Sequence, residues 1–187
     1  MAWVAFVDES QSDRTRDPGV YILAAAIADT DVVESVREAM LDLRVGLRGK
    51  VHWRDEQRGR RAVIISTVGS LPLEHLVVVR SCDSHEREER RRRRCLERLS
   101  MELDVLGVES VTFESRGPAD DRRDMAAIQA FRSQHLVSSR LRIRHLPGPK
   151  EPMLWVPDAV CGAVVAVRTS SGEYFDEIKT RCTMLDI

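Results

Sequence analysis

The first nine residues of the chain constrain its fold more than any other segment. An unbroken apolar run extends from Ala2 to Val7 and ends at two acids, Asp8 and Glu9. An apolar run without alternation is typical of a strand that is buried on both faces of a sheet. Burying a carboxylate is unfavourable unless it is paired with a cation or bound to a metal. We therefore expect a central strand whose end carries a polar site.

A further acid, Asp158, interrupts a second strongly apolar segment, Met153 to Val167. Acids held at the edges of two apolar elements predict a site for a divalent cation, Mg²⁺ or Mn²⁺. Asp158 has a simpler alternative role, because an acid in the first turn of a helix interacts favourably with the helix dipole, by roughly 0.3–1 kcal/mol. Glu9 is a second ligand or a cap for the following loop, since neighbouring strand residues point to opposite faces.

Composition limits the class of protein but does not identify a partner. A chain of 187 residues with 43% hydrophobic content predicts one folded domain over residues 1–187, and a formal net charge of -1 favours no class of ligand.

No N-terminal signal pattern is present, and Met153 to Val167 is too short to span a membrane. The cysteines lack CxxC spacing, which favours reduced thiols in a cytoplasmic protein; they are Cys82, Cys95, Cys161 and Cys182.

Apolar periodicity and turn residues predict the order of the elements. Strands are expected at Ala2 to Asp8, Val20 to Ala28, His75 to Arg80, Val108 to Glu114 and Leu141 to His145. Helices are expected over Asp31 to Leu47, Asp55 to Val68, His85 to Leu106, Asp121 to His135 and Pro157 to Val167, with a short terminal element over Tyr174 to Thr180. Asp31 and Glu34 have the spacing of a capping box for the first helix.

This order resembles that of the ribonuclease-H-like fold. The resemblance implies an α/β protein with a mixed five-stranded sheet flanked by helices, strand one at its centre, and a helical insertion between strands two and three. In that fold, acids from strand one, from the end of strand four and from the last helix converge on two metal ions. The matching positions in this sequence are Asp8, Glu114 and Asp158.

Three short motifs strengthen the resemblance. They are Phe6-Val7-Asp8-Glu9-Ser10-Gln11, then Lys50-Val51-His52, and the helix from Leu154 to Ala163 that contains Asp158. They resemble the F-[VI]-D-E-S-G, E-x-H and L-Q-x-A-D-x-x-x-G-A patterns of domain-of-unknown-function family 3800, a group of bacterial ribonuclease-H-like proteins. The sequence departs from those patterns at Gln11, Lys50, Trp155 and Pro157. The change at Lys50 removes an acid, and any role of that acid is absent or has moved.

Several assignments stay open from the sequence. His52 is either a group that orients phosphate or transfers a proton, or a loop histidine with no catalytic role. The fourth acid of the fold has three candidates in the helix after strand three, and three acids further along could replace Glu114. The two sets are Glu88, Glu89 and Glu97, and Asp120, Asp121 and Asp124.

Two functions of different classes follow from these residues. The first is a metal-dependent nuclease that hydrolyses phosphodiester bonds in nucleic acid, with Asp8, Glu114 and Asp158 as ligands of Mg²⁺ or Mn²⁺. The second is a non-catalytic ribonuclease-H-like module that binds nucleic acid or a protein partner, including a second copy of itself as a homodimer. The missing acid before His52 favours the second.

Overall fold

The computed structural model describes residues 2–46, 49–82, 85–170 and 172–187. Six strands are present in this part of the chain: β1 Trp3–Gln11, β2 Val20–Asp29, β3 Glu74–Ser81, β4 Val108–Glu114, β5 Arg142–Leu146 and β6 Cys182–Asp186. The longer helices are α1 Val33–Asp42, α2 Arg58–Ser70, α3 Glu88–Val105, α4 Pro118–Ser133 and α5 Trp155–Thr169. Single 3-10 turns cover Thr30–Val32, Trp53–Asp55, Gly148–Lys150, Pro152–Leu154, Phe175–Glu177 and Lys179–Arg181.

The strands form one mixed sheet in the order β5-β4-β1-β2-β3-β6. The β1–β2 and β2–β3 pairs are antiparallel, whereas β4, β5 and β6 each join their neighbours in parallel. The expectation that strand one lies at the centre of a single sheet is therefore confirmed. The expected strand count of five is wrong, because β6 adds to the outer edge of β3.

Both faces of the sheet are covered, which explains the apolar runs in β1 and β2. We call the side packed against α1, α2 and α5 the first face, and the side packed against α3 and α4 the second face. Along β1, Phe6 contributes to the first face while Ala5 and Val7 contribute to the second. This alternation places Asp8 on the first face and Glu9 on the second.

The segment between β2 and β3 differs from its prediction in two details. Helix α1 ends at Asp42, and Leu47, the last residue of the predicted helix, lies outside the described residues. The predicted capping box is wrong, because the side chain of Asp29 accepts the hydrogen bond from the Asp31 N–H, at 3.1 Å. The cap therefore belongs to the residue that ends β2.

Two further observations concern the cysteines and the helices of the described residues. The four cysteines are free thiols. None of the helices in the described segments combines the length and apolar content of a membrane span.

Candidate active site

Three acids meet on the first face at one end of the sheet. Strands β1 and β4 are parallel, and their last paired residues are Val7 and Phe113. The residues that follow, Asp8 and Glu114, therefore lie side by side at the same end of the two strands. Both lie on the first face, because strand residues alternate and Phe113 packs into the second. Asp158, in the first turn of α5, contributes to the electrostatic field at Asp8. The structure therefore brings the three predicted ligands into one cluster.

Lys50 occupies the middle of this cluster. Its Nζ donates to both oxygens of Glu114, at 2.8 Å to Oε1 and 2.5 Å to Oε2. The same nitrogen lies 3.8 Å from Oδ2 of Asp8. The Lys50 side chain is only 15% exposed, so the interaction is largely shielded from solvent. A single ammonium group thus bridges Asp8 of β1 and Glu114, the last residue of β4.

Asp158 is held by the segment that follows Lys50. Its Oδ2 accepts a 2.8 Å hydrogen bond from the Trp53 backbone N–H, and the Nδ1 of His52 lies 3.0 Å from the same oxygen. The hydrogen bond to Asp158 raises the pKa of His52. Asp158 therefore does more than interact with its own helix dipole, since it anchors the polypeptide that carries Lys50 and His52.

Burial and mutual repulsion dominate the electrostatics of Asp8. Burial raises the pKa of Asp8 well above its ordinary value, Glu114 and Asp158 raise it further, and Lys50 opposes the shift. Burial alone lowers the pKa of Lys50, but the three carboxylates outweigh it and the pKa of Lys50 is raised. Lys50 is consequently an ammonium at neutral pH, and the cluster attracts positive charge.

Small residues allow the cluster to pack closely. Gly148 lies against the Glu114 carboxylate, and a Cβ at this position would overlap the Glu114 side chain. Gly162 lies one turn after Asp158 on α5, and a Cβ there would overlap the indole ring of Trp53. The two glycines therefore set how near the acids and the 50–53 segment can approach.

The structure places Glu9 outside this cluster. Its carboxylate pairs with the guanidinium of Arg92, and the Nε of Arg116 lies 3.6 Å from it. Arg92 also forms two hydrogen bonds to Asp124, of 3.0 Å and 2.6 Å. These residues form a separate ion-pair network on the second face, because Glu9 follows Asp8 on the strand and points the opposite way.

The alternative acids are likewise engaged elsewhere. Asp121 accepts from the Ser115 hydroxyl at 2.6 Å, and Asp120 pairs with Arg123. Glu89 pairs with Arg116 at 2.9 Å and Glu97 with Arg94 at 3.4 Å. Among the described residues, Glu114 is therefore the third acid of the cluster. Neither Glu89 nor Glu97 joins the cluster as a fourth acid.

Sequence reasoning did not anticipate the positions of Lys50 and Trp53. Lys50 is 42 residues after Asp8 and 64 before Glu114, so no local pattern links them. The signal that pointed to this segment was the K-V-H motif at Lys50 to His52, where the related pattern has an acid. In this chain the position is Lys50, which has the opposite charge, and its side chain still contacts the acids Glu114 and Asp8.

The donor set fits a divalent cation in type and in charge. Carboxylate oxygens are the donors that Mg²⁺ and Mn²⁺ prefer, and the Lys50 ammonium is a stand-in cation that the acids already surround. In the described segments, however, no group of three or more His, Cys, Asp or Glu side chains is arranged so that it could hold a metal ion as it stands. A cation would have to displace Lys50 from Glu114.

Comparisons with known proteins support the fold. No family model matches the chain, and no curated protein matches it. The fold is similar to that of ribonuclease H2 from Pyrococcus horikoshii OT3, with a TM-score of 0.50 and 14% identity over 96% of this chain and 76% of that chain. It is also similar to a structure of the PCNA:RNase HII complex from Archaeoglobus fulgidus, with a TM-score of 0.50 and 14% identity over 95% of this chain and 75% of that chain. The mixed sheet and its flanking helices are therefore of the ribonuclease-H type.

Proposed function

We propose that the chain is a divalent-metal-dependent nuclease that hydrolyses phosphodiester bonds in nucleic acid. The observation that carries the proposal is the convergence of Asp8, Glu114 and Asp158, from β1, β4 and α5, around one positive charge on the first face. The two solved structures of similar fold are named as ribonucleases. At 14% identity that likeness supports the fold, and the activity rests on the site.

The chain's own residues have distinct roles in this proposal. Asp8, Glu114 and Asp158 would hold Mg²⁺ or Mn²⁺, and the bound ion would polarise the phosphate and acidify a water molecule. Asp158 orients His52 through Nδ1. The other ring nitrogen of His52 is then the one to donate a proton or a hydrogen bond to a phosphate. The His52 side chain is 43% exposed, so substrate can reach it.

Hydrolysis of a nucleic acid panel tests the proposal. Single- and double-stranded DNA and RNA are incubated with millimolar Mn²⁺ or Mg²⁺, and we expect cleavage that a chelator stops. Asp8→Asn should lower the rate by about 100-fold or more, since even outer-shell partners of a metal are worth 10–100-fold. Asp176→Asn is the matched control, because Asp176 is an exposed acid that pairs with Lys179 away from the cluster. Intact substrates together with no Mn²⁺ binding at millimolar metal would contradict the proposal.

A second candidate is a non-catalytic module that binds nucleic acid. The presence of Lys50 between Glu114 and Asp8 favours it, because a positive charge from within the protein already pairs with two of the three acids. This candidate predicts salt-dependent binding of nucleic acid with no metal-dependent cleavage. Electrophoretic mobility and hydrolysis of the same labelled substrates separate the two.

Other expectations stay predictions. They are membership of family 3800, a cytoplasmic location and a homodimer. Analytical ultracentrifugation tests the homodimer directly. Nothing in the nuclease proposal depends on any of the three.

A further inference from the structure

Every carboxylate of the acid cluster already has a partner within the chain. Both oxygens of Glu114 accept from Lys50. Oδ2 of Asp158 accepts from the Trp53 N–H, and Oδ1 of Asp8 accepts from the Glu9 N–H at 2.8 Å. The only positive charge that contacts both Asp8 and Glu114 is the Lys50 ammonium, as far as the described residues show.

We infer that Lys50 is a tethered counter-ion that competes with a divalent cation for the carboxylates of Asp8 and Glu114. The inference rests on the proposed cation site and adds the residue that regulates its occupancy. A cation binds there only when the Lys50 ammonium leaves Glu114, so the ammonium weakens cation binding. The competitor is part of the protein, and its local concentration therefore does not fall on dilution.

The surrounding contacts explain why the ammonium is directed into the cluster. Val51 is buried, with 4% exposure, and fixes the backbone directly after Lys50. His52 and the Trp53 N–H are bound to Asp158, which fixes the same segment against α5. Lys50 itself has a flexible four-carbon stem, so its head group can leave while the backbone stays in place. The segment thus has the geometry of a fixed arm with a movable charged end.

Charge removal at Lys50 is the direct test, with Mn²⁺ as the probe. Lys50→Met keeps the apolar stem and removes the ammonium, and we expect calorimetry to show Mn²⁺ binding about tenfold tighter or more than in the wild type. Lys50→Arg keeps the positive charge and should bind Mn²⁺ as weakly as the wild type. Lys179→Met is the matched control, because Lys179 also pairs with an acid, Asp176, but on the exposed surface. It should leave Mn²⁺ affinity unchanged.

The outcomes separate this inference from the nuclease proposal. Equal or weaker Mn²⁺ binding by Lys50→Met overturns the inference, and so does tighter binding by Lys50→Arg, since the charge would then not be the cause. Lys50→Gln provides a second neutral variant if the methionine variant does not fold, as judged by circular dichroism. Tighter Mn²⁺ binding without any hydrolysis upholds the competitor role of Lys50 while the nuclease proposal fails.

Discussion

Asp8 and Glu9 are adjacent in the sequence but serve different faces of the sheet. Asp8 joins the acid cluster on the first face, whereas Glu9 pairs with Arg92 on the second. The cause is the two-residue period of a strand, which turns neighbouring side chains in opposite directions. An acidic pair at the end of a buried strand therefore does not imply two ligands of one metal.

The buried His75 provides a prediction at the residue scale. It lies on β3 with 3% exposure, and its Nδ1 is among the buried atoms without a hydrogen-bond partner in the described segments. Burial lowers the pKa of His75 to about 4, against 6.5 ordinarily. Between these values the unfolded chain binds a proton that the folded chain does not, so the free energy of unfolding falls as pH falls.

His75→Asn should therefore flatten the dependence of stability on pH. We expect the protonation of His75 to lower the free energy of unfolding of the wild type by roughly 3 kcal/mol between pH 6.5 and 4. Chemical denaturation across this range should show that the variant lacks this contribution. Gln134 is exposed and has no ionisable side chain, so Gln134→Asn supplies the control and should retain the wild-type slope. An identical slope in His75→Asn and in the wild type would show that His75 does not titrate as its burial implies.

Helix α5 is the element that joins the core to the site. Its buried face packs on β1 and β2, and its first turn carries Asp158. Gly162, one turn further, lies directly against the Trp53 ring. Because Trp53 also donates its N–H to Asp158, the glycine lets the 50–53 segment lie close enough to hold the acid.

Gly162→Ala should destabilise the protein although alanine favours helix. The added methyl group would displace Trp53, and overpacking of this kind costs typically about 1–3 kcal/mol. Gly59, in the first part of α2, has open space around the position of a Cβ. Gly59→Ala should therefore be neutral or stabilising by up to about 1 kcal/mol. Urea denaturation of both variants measures the two changes in stability, which should have opposite signs. Equal changes would contradict the contact between Gly162 and Trp53 as the cause.

Element positions were largely accessible from the sequence, while the contacts between elements were not. The β4 prediction, Val108 to Glu114, agrees with the structure at both ends, because its apolar residues are buried and Gly107 precedes it. Helix α5 begins at Trp155, two residues before the predicted start at Pro157. The bonds of Lys50 to Glu114 depend on the path of the chain between β2 and β3, which local periodicity does not encode.

At the scale of the whole molecule, the sheet separates two charged clusters. The acid cluster lies on the first face, and the network of Glu9, Arg92 and Asp124 lies on the second. Arg92 has 2% exposure and also donates to the Tyr21 hydroxyl at 3.2 Å. One cluster surrounds the Lys50 ammonium, while the other is built around Arg92 within the core.

Arg92→Met should therefore lower stability strongly. Without Arg92, Glu9 keeps the longer contact to Arg116 at 3.6 Å, and Asp124 keeps Arg116 at 3.3 Å and His145 at 3.2 Å. Removing one partner of a buried ion pair costs about 3–5 kcal/mol. Arg93 is next in sequence but exposed, with its guanidinium over the Phe131 ring. Arg93→Met should cost no more than about 1 kcal/mol. Guanidinium denaturation of the two variants measures both losses of stability. Similar losses would contradict the role of Arg92 as the buried partner of Glu9 and Asp124.

The overall topology followed from the order of elements, with one exception. The central position of β1 was predictable because its apolar run requires cover on both faces. Strand β6 was not, because its five residues are mostly exposed and show no apolar alternation. Its place is determined by hydrogen bonding to β3 in parallel, a long-range contact that the sequence of β6 alone does not specify.

The proposed nuclease requires Asp8, Glu114 and Asp158 to hold the cation of an active site together. Anomalous diffraction from crystals of the wild-type chain soaked in millimolar Mn²⁺ tests it most directly. We expect a manganese peak in contact with these carboxylates, with the Lys50 ammonium moved off Glu114. The absence of a peak at the cluster, with Lys50 still bound to Glu114, would contradict it.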